Sequence, residues 1–207
     1  MEDKRQNIIE KAFELYHQYG IKSVSMDDIA RNMGISKKTL YQYISDKNEL
    51  VECVFQYSKA YIEDVFSAFK RDDLNAIEQN FELSDNIRKK NQRFKPTFLY
   101  DMKKYYPALL RELKDIKFKI IYESNLANLK KGKEEGFYME DINEHIIARI
   151  MVSYHLFTFD PGNGLFTDTE VMDMGIFEEV YKYHFRGICT PKGIEELNRL
   201  FCKNNNQ

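Results

Sequence analysis

Apolar residues recur every three to four positions along most of this chain, which is the period of a helix with one buried face. The first such stripe runs from Asp3 to Tyr19, and Gly20 is placed to end that helix. A second stripe begins at Leu50 and keeps its period to about Lys70. Others follow in residues 74–91, 96–102, 107–127, 142–157 and 171–185. Because no segment alternates apolar and polar residues convincingly, the pattern predicts an all-α protein.

One segment near the N-terminus organises the rest of the chain. Ser25 suits a helix N-cap, and Asp28 three residues later completes a capping box with Asp in place of the usual Glu. Gly34 can adopt the left-handed conformation that ends a helix, and Ser36 can cap the next one. The spacing predicts two short helices joined by a tight turn, the second from about Lys37 to Ile44. This is the helix-turn-helix geometry that places a helix in the major groove of DNA.

The second short helix has the surface of a recognition helix. Leu40 and Ile44 lie one turn apart and are expected to anchor it inward. Its other side chains are lysines that neutralise phosphates, hydroxyls that bond phosphate oxygens, and a glutamine that can pair with a base edge. The residues at the starts of the two short helices and the lysine that follows the second helix are included as well. The predicted DNA-binding residues are Ser25, Met26, Ser36, Lys37, Lys38, Thr39, Tyr41, Gln42, Tyr43 and Lys47.

A third helix is expected to begin after Ser45, which the sequence offers as its N-cap. The free amides at a helix N-terminus bind anions, and Lys47 adds a full positive charge beside them. A cation at that end of a helix is mildly unfavourable, so a DNA phosphate bound between them explains its position better. The alternative is a plain three-helix packing unit without a DNA role. The caps, the turn and Lys47 together favour DNA binding.

These residues resemble the DNA-binding segment of the tetracycline-repressor (TetR) family of bacterial regulators. The matching residues are Ile29-Ala30, Gly34-Ile35-Ser36-Lys37, Thr39-Leu40-Tyr41, Tyr43, Lys47 and Leu50. Two positions depart from the common pattern, because Lys38 stands where Gly is frequent and Ile44 where Phe is frequent. The specific motif covers roughly the first quarter of the chain, and residues 183–188 near the C-terminus agree with the family less specifically.

The resemblance implies a helix-turn-helix DNA-binding domain at residues 1–50, with the motif at about 25–44, and a helical effector-binding and dimerisation domain at 51–207. It also implies that the last two long helices, on either side of a loop at residues 160–164, form a four-helix bundle with a second copy. A twofold homodimer suits a palindromic operator in double-stranded DNA. From the apolar pattern alone, the alternative that both faces of these helices are core stays open.

Aromatic residues are frequent in the middle helices, where rings at helical spacing usually belong to a core. Alternatively, these aromatic residues line a largely apolar cavity. The resemblance implies that a small apolar or aromatic effector binds in such a cavity and releases the DNA. The residues expected to line it are Phe66, Phe98, Met102, Tyr122 and Asn125. The alternative is a DNA-binding protein of the same fold that is controlled by a protein partner or by no effector.

The charge balance favours a protein that docks one face on DNA. The net charge of −2 gives the whole molecule no general attraction to nucleic acid. Between Arg31 and Lys47, however, four cations accompany a single anion, and a neutral protein with one basic patch is typical of such binders.

The sequence offers no catalytic or metal-binding constellation. The four histidines and three cysteines lack the spacing of metal ligands, and the nine glycines form no phosphate-binding loop. We therefore expect no enzymatic activity, no metal and no cofactor. No apolar run is long enough to cross a membrane, and the N-terminus lacks a signal-peptide core, so we expect a cytoplasmic protein without a membrane partner.

Overall fold

The computed structural model describes residues 2–89, 96–158, 164–167, 170 and 173–204. Within these ranges the regular structure is helical, and pairing of β type is confined to an isolated bridge between Tyr138 and Cys189. The all-α prediction is therefore confirmed. No helix in this part of the chain is long and apolar enough to cross a membrane.

The helices follow one another through the described chain with short connections. They are α1 (Glu2–Tyr19), α2 (Met26–Asn32), α3 (Lys37–Tyr41), α4 (Lys47–Val65), α5 (Ala76–Lys89), α6 (Pro96–Tyr105), α7 (Pro107–Glu134), α8 (Glu144–Ser153), α9 (Met174–Ile188) and α10 (Pro191–Asn204). A 3-10 turn, Phe66–Lys70, follows α4, and a π-helical turn, Tyr154–Thr158, follows α8.

Most helix ends fall where their punctuating residues predict. Gly20 has φ 88° and ends α1, and Gly34 has φ 66° in the turn after α2. The predicted second helix of the motif is wrong at its C-terminus, because α3 ends at Tyr41 and not near Ile44. There the amide of Tyr43 donates to the carbonyl of Leu40, an i to i+3 bond that tightens the chain into a turn.

Helix α4 is shorter than its apolar stripe predicts. The stripe expected to reach Lys70 is α-helical only to Val65 and continues as the 3-10 turn. The loop predicted at residues 160–164 lies outside the described residues except for Gly164.

The chain divides into two compact units. The first comprises Met1–Ile62 and Gln92–Lys117, and the second comprises Glu63–Asn91 and Phe118–Gln207. The compact unit that contains the N-terminal motif therefore extends past residue 50 and also takes in α6. The functional boundary that we place after residue 50 stays a prediction.

The first unit has one hydrophobic core, to which α1 contributes a full stripe. The α1 residues in it are Ile8, Ile9, Ala12, Phe13, Leu15 and Tyr16. Leu40 and Ile44 are 0% and 1% exposed in the same core, as the sequence predicts. From α6 come Phe98 and Met102, and the Phe98 ring stacks on His17 with 4.3 Å between centroids. Burying side chains of this size stabilises the fold by roughly 1.5–3 kcal/mol each.

The second unit surrounds a buried polar network with apolar helix faces. The side-chain amide of Asn80 donates to Asn128 Oδ1 at 2.9 Å, and that of Asn128 donates to the Ala76 carbonyl at 2.8 Å. The Tyr138 hydroxyl donates to Asn128 Oδ1 at 3.1 Å. All three side chains are at most 2% exposed, so these bonds satisfy donors that water cannot reach and join α5 to α7.

The Tyr138 ring requires a glycine on α7. A Cβ atom added at Gly132 would lie 2.1 Å from Cδ2 of Tyr138. We expect Gly132→Ala to destabilise the protein by about 1–3 kcal/mol, the usual cost of overpacking a core, although alanine is the better helix former. Thermal or urea unfolding measures this change. The control is Gly187→Ala in α9, where the added methyl group meets nothing within 4 Å. Equal stabilities for the two variants would contradict this account of Gly132.

Candidate nucleic-acid interface

Helix α2 begins with the predicted capping box. Ser25 Oγ accepts from the Asp28 amide at 3.2 Å, and the Asp28 carboxylate accepts from the Ser25 amide at 2.9 Å. The reciprocal bonds satisfy two amide groups at the helix start and hold the pKa of Asp28 below its usual value, first through the Ser25 hydroxyl. The start of the motif is thereby fixed by a bond between residues three apart in sequence.

Helix α3 is anchored inward and presents polar groups outward. Ser36 caps it by accepting from the Thr39 amide at 3.0 Å, and Leu40 lies in the core. Ser36, Lys37, Lys38 and Gln42 are exposed, Tyr41 is 41% exposed, and Thr39 and Tyr43 are half-buried. The structure thus gathers the predicted contacts of α3 on one continuous short segment.

Two predicted DNA-binding residues already have intramolecular partners. Lys37 pairs with Asp27 at 2.8 Å, and this hydrogen bond raises the pKa of Lys37, so its ammonium is firmly charged. Met26 is only 6% exposed and packs in the hydrophobic core. The first turn of α2 directs this side chain inward, and the contribution of Met26 to DNA binding stays a prediction.

The cap of α4 also differs from the prediction. Asp46, not Ser45, caps the helix, because its Oδ1 accepts from the amides of Asn48 at 2.7 Å and Glu49 at 2.9 Å. Ser45 instead donates its amide and its hydroxyl to Glu49 Oε2, at 2.6 and 2.7 Å. Two amides that we expected to be available for an anion are thus occupied by a carboxylate. A phosphate at this helix start depends on the ammonium of Lys47.

Arg5 is a structural element of the interface that the sequence did not reveal. Its Nε donates to the Tyr43 carbonyl at 3.3 Å, and its Nη2 donates to Glu49 Oε1 at 3.0 Å. Glu49, bonded first by Ser45 and then by Arg5, has its pKa lowered to about 2. Arg5 therefore joins α1 to the end of α3 and the start of α4. In the sequence it is one of several charges on α1, with no pattern that marks it.

Lys47 is half-buried at the start of α4. Desolvation lowers its pKa, and the like charge of Lys22 adds to this effect, whereas Asp101 and Asp28 oppose it. A cation that is partly desolvated beside another cation is stabilised by an approaching anion. This electrostatic setting agrees with the predicted phosphate contact.

The predicted effector-pocket residues fall in two different compact units. Phe98 and Met102 belong to the first, and Phe66, Tyr122 and Asn125 belong to the second. A cavity of about 10 Å³ lies in the first unit, with a wall of Tyr16, Ile21, Val51, Val54, Phe55, Ser58, Phe98, Met102 and Leu113. This volume suffices for about one water molecule, because small-molecule pockets measure roughly 300–1,000 Å³.

In the second unit the other predicted pocket residues have specific neighbours. The ring of Phe66 lies 5.4 Å from that of His155, and the Tyr122 hydroxyl lies 2.7 Å from His145 Nδ1. Asn125 is fully buried, and its amide donates to the Ile121 carbonyl at 2.8 Å. Within the described ranges, no group of three or more potential metal ligands is assembled.

Comparison with known proteins agrees with this geometry. Residues 8–54 match the model of the bacterial regulatory proteins of the tetR family. The HTH-type transcriptional regulator YvaF of Bacillus subtilis is 29% identical over 83% of this chain and 90% of its own length. CprB of Streptomyces coelicolor, solved in complex with its operator, shares the fold with a TM-score of 0.68 at 15% identity, over 100% of this chain and 98% of its own. A gamma-butyrolactone receptor, an ArpA-like protein, gives a TM-score of 0.62 at 14% identity, with 100% and 98% covered.

The capped α2 and α3, the anchored recognition surface and the all-helical fold define a helix-turn-helix DNA-binding protein. Residues 8–54 form a DNA-binding domain of the tetR-family type, and the chain as a whole resembles HTH-type transcriptional regulators in sequence and TetR-family proteins in fold. The members of this family are regulators of transcription, and the absence of enzymatic activity in this chain stays a prediction.

Lys47→Gln tests the phosphate contact at α4. We expect it to weaken binding to all DNA sequences about equally and to reduce the salt dependence of log K by ~0.9 for each phosphate that the variant no longer neutralises. Fluorescence anisotropy on a random-sequence duplex across a salt series measures both. Lys59→Gln is the matched control, because Lys59 lies 12 positions further along the same helix and pairs with Glu112. An unchanged salt slope in Lys47→Gln would remove this residue from the interface.

Proposed function

We propose that this regulator is a repressor that binds a palindromic operator as a homodimer and is released by a small apolar or aromatic effector. The observation that carries the DNA-binding part is the exposed face of α3 on a buried anchor. The operator in the complex of the fold-sharing CprB supports extending operator binding to this chain.

The groups on α3 divide by their chemistry. Lys38 and Gln42 are exposed and carry the donors and acceptors that read base edges in the major groove. The hydroxyls of Ser36, Thr39 and Tyr41 suit phosphate oxygens, which position the helix without selecting a sequence. Lys38 stands where glycine is frequent in the family. We propose that it gives this protein a DNA sequence preference different from that of members with glycine.

Helix α8 supports the homodimer because it is apolar on two faces. Ala148, Met151 and Val152 are at most 2% exposed and pack in the second unit. On the other face, Ile146 and Ile150, one turn apart, are 54% and 39% exposed. Exposed large apolar residues at this spacing are typical of an association surface, and a twofold axis places the same face of the second copy against it.

The apolar stripe of α9 includes Phe177, which lies in the core and not on an outward face. Phe177 of α9 is only 5% exposed, and its ring lies 4.3 Å from that of Tyr181 in the core of the second unit. Tyr183 of the same helix, in contrast, is 78% exposed.

Unpaired polar atoms in the second unit support an effector. Asn80 Oδ1, Asn125 Oδ1 and His184 Nε2 are buried and have no hydrogen-bond partner among the residues that the structure describes. Burial lowers the pKa of His184 to about 4, so this ring is neutral near pH 7. A buried polar atom without a partner costs roughly 1–3 kcal/mol, which a ligand with a matching donor or acceptor recovers. The lactone for which the fold-sharing receptor is named is consistent with a small effector.

Helix α4 provides the connection between effector and DNA. It is continuous from Lys47, the proposed phosphate contact, to Val65, and its last three residues belong to the second unit. An effector that binds better to one orientation of this helix favours that orientation by linkage, typically by 1–3 kcal/mol. A dimer must hold its two recognition helices about 34–36 Å apart to bind two half-sites, so a small reorientation suffices for release.

The alternative is a DNA-binding regulator of the same fold that is controlled by a protein partner or by no effector. The small volume of the cavity in the first unit favours this alternative for that unit. The two candidates differ in whether a small molecule changes both the melting temperature and the affinity for DNA.

The dimer is tested by charging the outward face of α8. We expect Ile146→Glu/Ile150→Glu to be monomeric in sedimentation at micromolar concentration and to bind DNA much more weakly, because paired carboxylates are excluded from an apolar interface. Phe118→Glu is the control, since Phe118 is an apolar residue of α7 with 46% exposure. A monomer for the unmutated protein under the same conditions would refute the proposal.

The effector is tested by screening small aromatic and aliphatic molecules for a rise in melting temperature. A ligand at 100 times its Kd stabilises the folded state by about 2.7 kcal/mol. We expect such a ligand to lower DNA affinity and its effect to disappear in Asn125→Leu but to persist in Lys130→Gln, an exposed change on the same helix. Ligands that stabilise the protein without changing its affinity for DNA would count against release.

A further inference from the structure

A second group of cations lies on the first unit, outside the helix-turn-helix. It consists of Lys22, in the connection between α1 and α2, and of Tyr100, Lys103, Lys104 and Tyr105 on α6, and we name these five residues the α6 patch. Its lysines are exposed, and Tyr100 and Tyr105 are 59% and 43% exposed. Neither the sequence motif nor the family match at residues 8–54 includes the four residues on α6.

The aromatic rings hold the ammonium groups in place. Lys104 Nζ donates to the Tyr100 hydroxyl at 3.2 Å and lies 5.3 Å from the ring centroid of Tyr105. Lys22 Nζ lies 5.2 Å from the centroid of the same Tyr105 ring. The Tyr105 ring therefore brings together two cations that are distant in sequence. Because the cation–π contacts already restrict the lysine side chains, these side chains lose less conformational entropy when an anion binds.

Asp101 fixes the backbone beneath the patch. Its Oδ2 accepts from the amide of Lys22 at 2.7 Å, and the Asp101 side chain is only 7% exposed. Gly20 allows this approach, because a Cβ atom there would lie 2.9 Å from the same oxygen. This buried carboxylate is thus bonded to a backbone amide, and the exposed charge of the patch is positive.

The lysines of the patch differ from other lysines of the first unit. Lys11 and Lys59 lie 2.7 Å from the carboxylates of Glu14 and Glu112. Among the described residues, no carboxylate lies within 4.0 Å of the ammonium groups of Lys22, Lys103 or Lys104. Cations grouped without acidic partners repel one another, and an external anion relieves this repulsion.

The α6 patch adjoins the helix-turn-helix, because Lys22 lies three residues before Ser25, the N-cap of α2. Burial, and after it the like charge of Lys22, lowers the pKa of Lys47 at the start of α4. The tyrosine hydroxyls add neutral donors of the kind that bond phosphate oxygens. A surface of fixed lysines and tyrosine hydroxyls beside a phosphate contact is complementary to further backbone of the same duplex.

We propose that the α6 patch binds the phosphate backbone of DNA next to the segment read by α3. This inference rests on the proposed DNA contact of the helix-turn-helix and extends it. The patch adds affinity for any sequence and lengthens the duplex that the protein covers, while base selection stays with α3. It also places a DNA contact on α6.

The test compares salt dependences of DNA binding for the full-length protein on a random-sequence duplex of roughly three helical turns. The variant is Lys22→Gln/Lys104→Gln, with Lys22→Arg/Lys104→Arg as the charge-conserving version and Lys59→Gln as the control. Anisotropy is recorded between about 50 and 200 mM salt, where phosphate contacts dominate the change. Melting curves confirm that each variant is folded; Lys22 and Lys104 are exposed, and Lys59 is half-buried and paired with Glu112.

We expect the salt slope of the glutamine variant to be smaller by ~0.9 for each phosphate it no longer neutralises, while the arginine variant and Lys59→Gln keep the slope of the unmutated protein. An unchanged slope in the glutamine variant, or an equal fall in Lys59→Gln, would overturn the inference. If Lys47→Gln lowers the slope and the glutamine variant does not, only the α6 patch is refuted. If the unmutated protein shows no salt-dependent binding, the DNA contact of the motif is refuted as well.

Discussion

The interface depends on the burial of Leu40 and Ile44, because α3 is too short to be stable alone. A helix of five residues has one turn of hydrogen bonds, whereas isolated helices shorter than about 12–15 residues are marginal in water. The conformation of the recognition surface therefore comes from the core that α1 completes. Arg5 adds a second restraint by bonding the carbonyl of Tyr43 and the carboxylate of Glu49. Stability and DNA binding are coupled through these few residues.

Charge in this protein is arranged locally, since its net charge is −2. Some lysines of the first unit are neutralised by nearby carboxylates, as Lys37 is by Asp27 and Lys59 by Glu112. At the start of α4, burial and after it the like charge of Lys22 lower the pKa of Lys47. Such a distribution directs an anionic polymer to one face while the remaining surface has little attraction for it.

The second unit combines satisfied and unsatisfied buried polar groups. Asn128 is bonded on both sides of its amide, to Ala76, Gln79 and Asn80, which fixes the packing of α5 on α7. Asn125, one turn earlier on α7, keeps an unpaired oxygen in the same fully buried condition. Buried polar groups that are hydrogen-bonded favour one packing arrangement. Buried polar groups without a partner are the places where a ligand gains the most binding free energy by supplying a hydrogen bond.

The sequence by itself determined the features that arise between residues close along the chain. The capping box of Ser25 and Asp28, the left-handed Gly20 and Gly34, and the helical periodicity each depend on groups within about four positions, so their residue types predict them. The inward turn of Leu40 follows from the same periodicity. These local signals sufficed for the all-α class and for the motif.

Only the tertiary structure decided which residues meet across long separations. Ser45 and Asp46 are both suitable caps by residue type, and in the structure Asp46 caps α4 while Glu49, which Arg5 of α1 also holds, accepts from Ser45. Met26 has the position of a contact residue but is drawn into the core. Phe98 and Phe66 share an aromatic pattern, yet they belong to different compact units. Lys22 and Lys104 are brought to one tyrosine ring by the Asp101 bond, because burial and hydrogen bonding act on distance in space and not on distance along the chain.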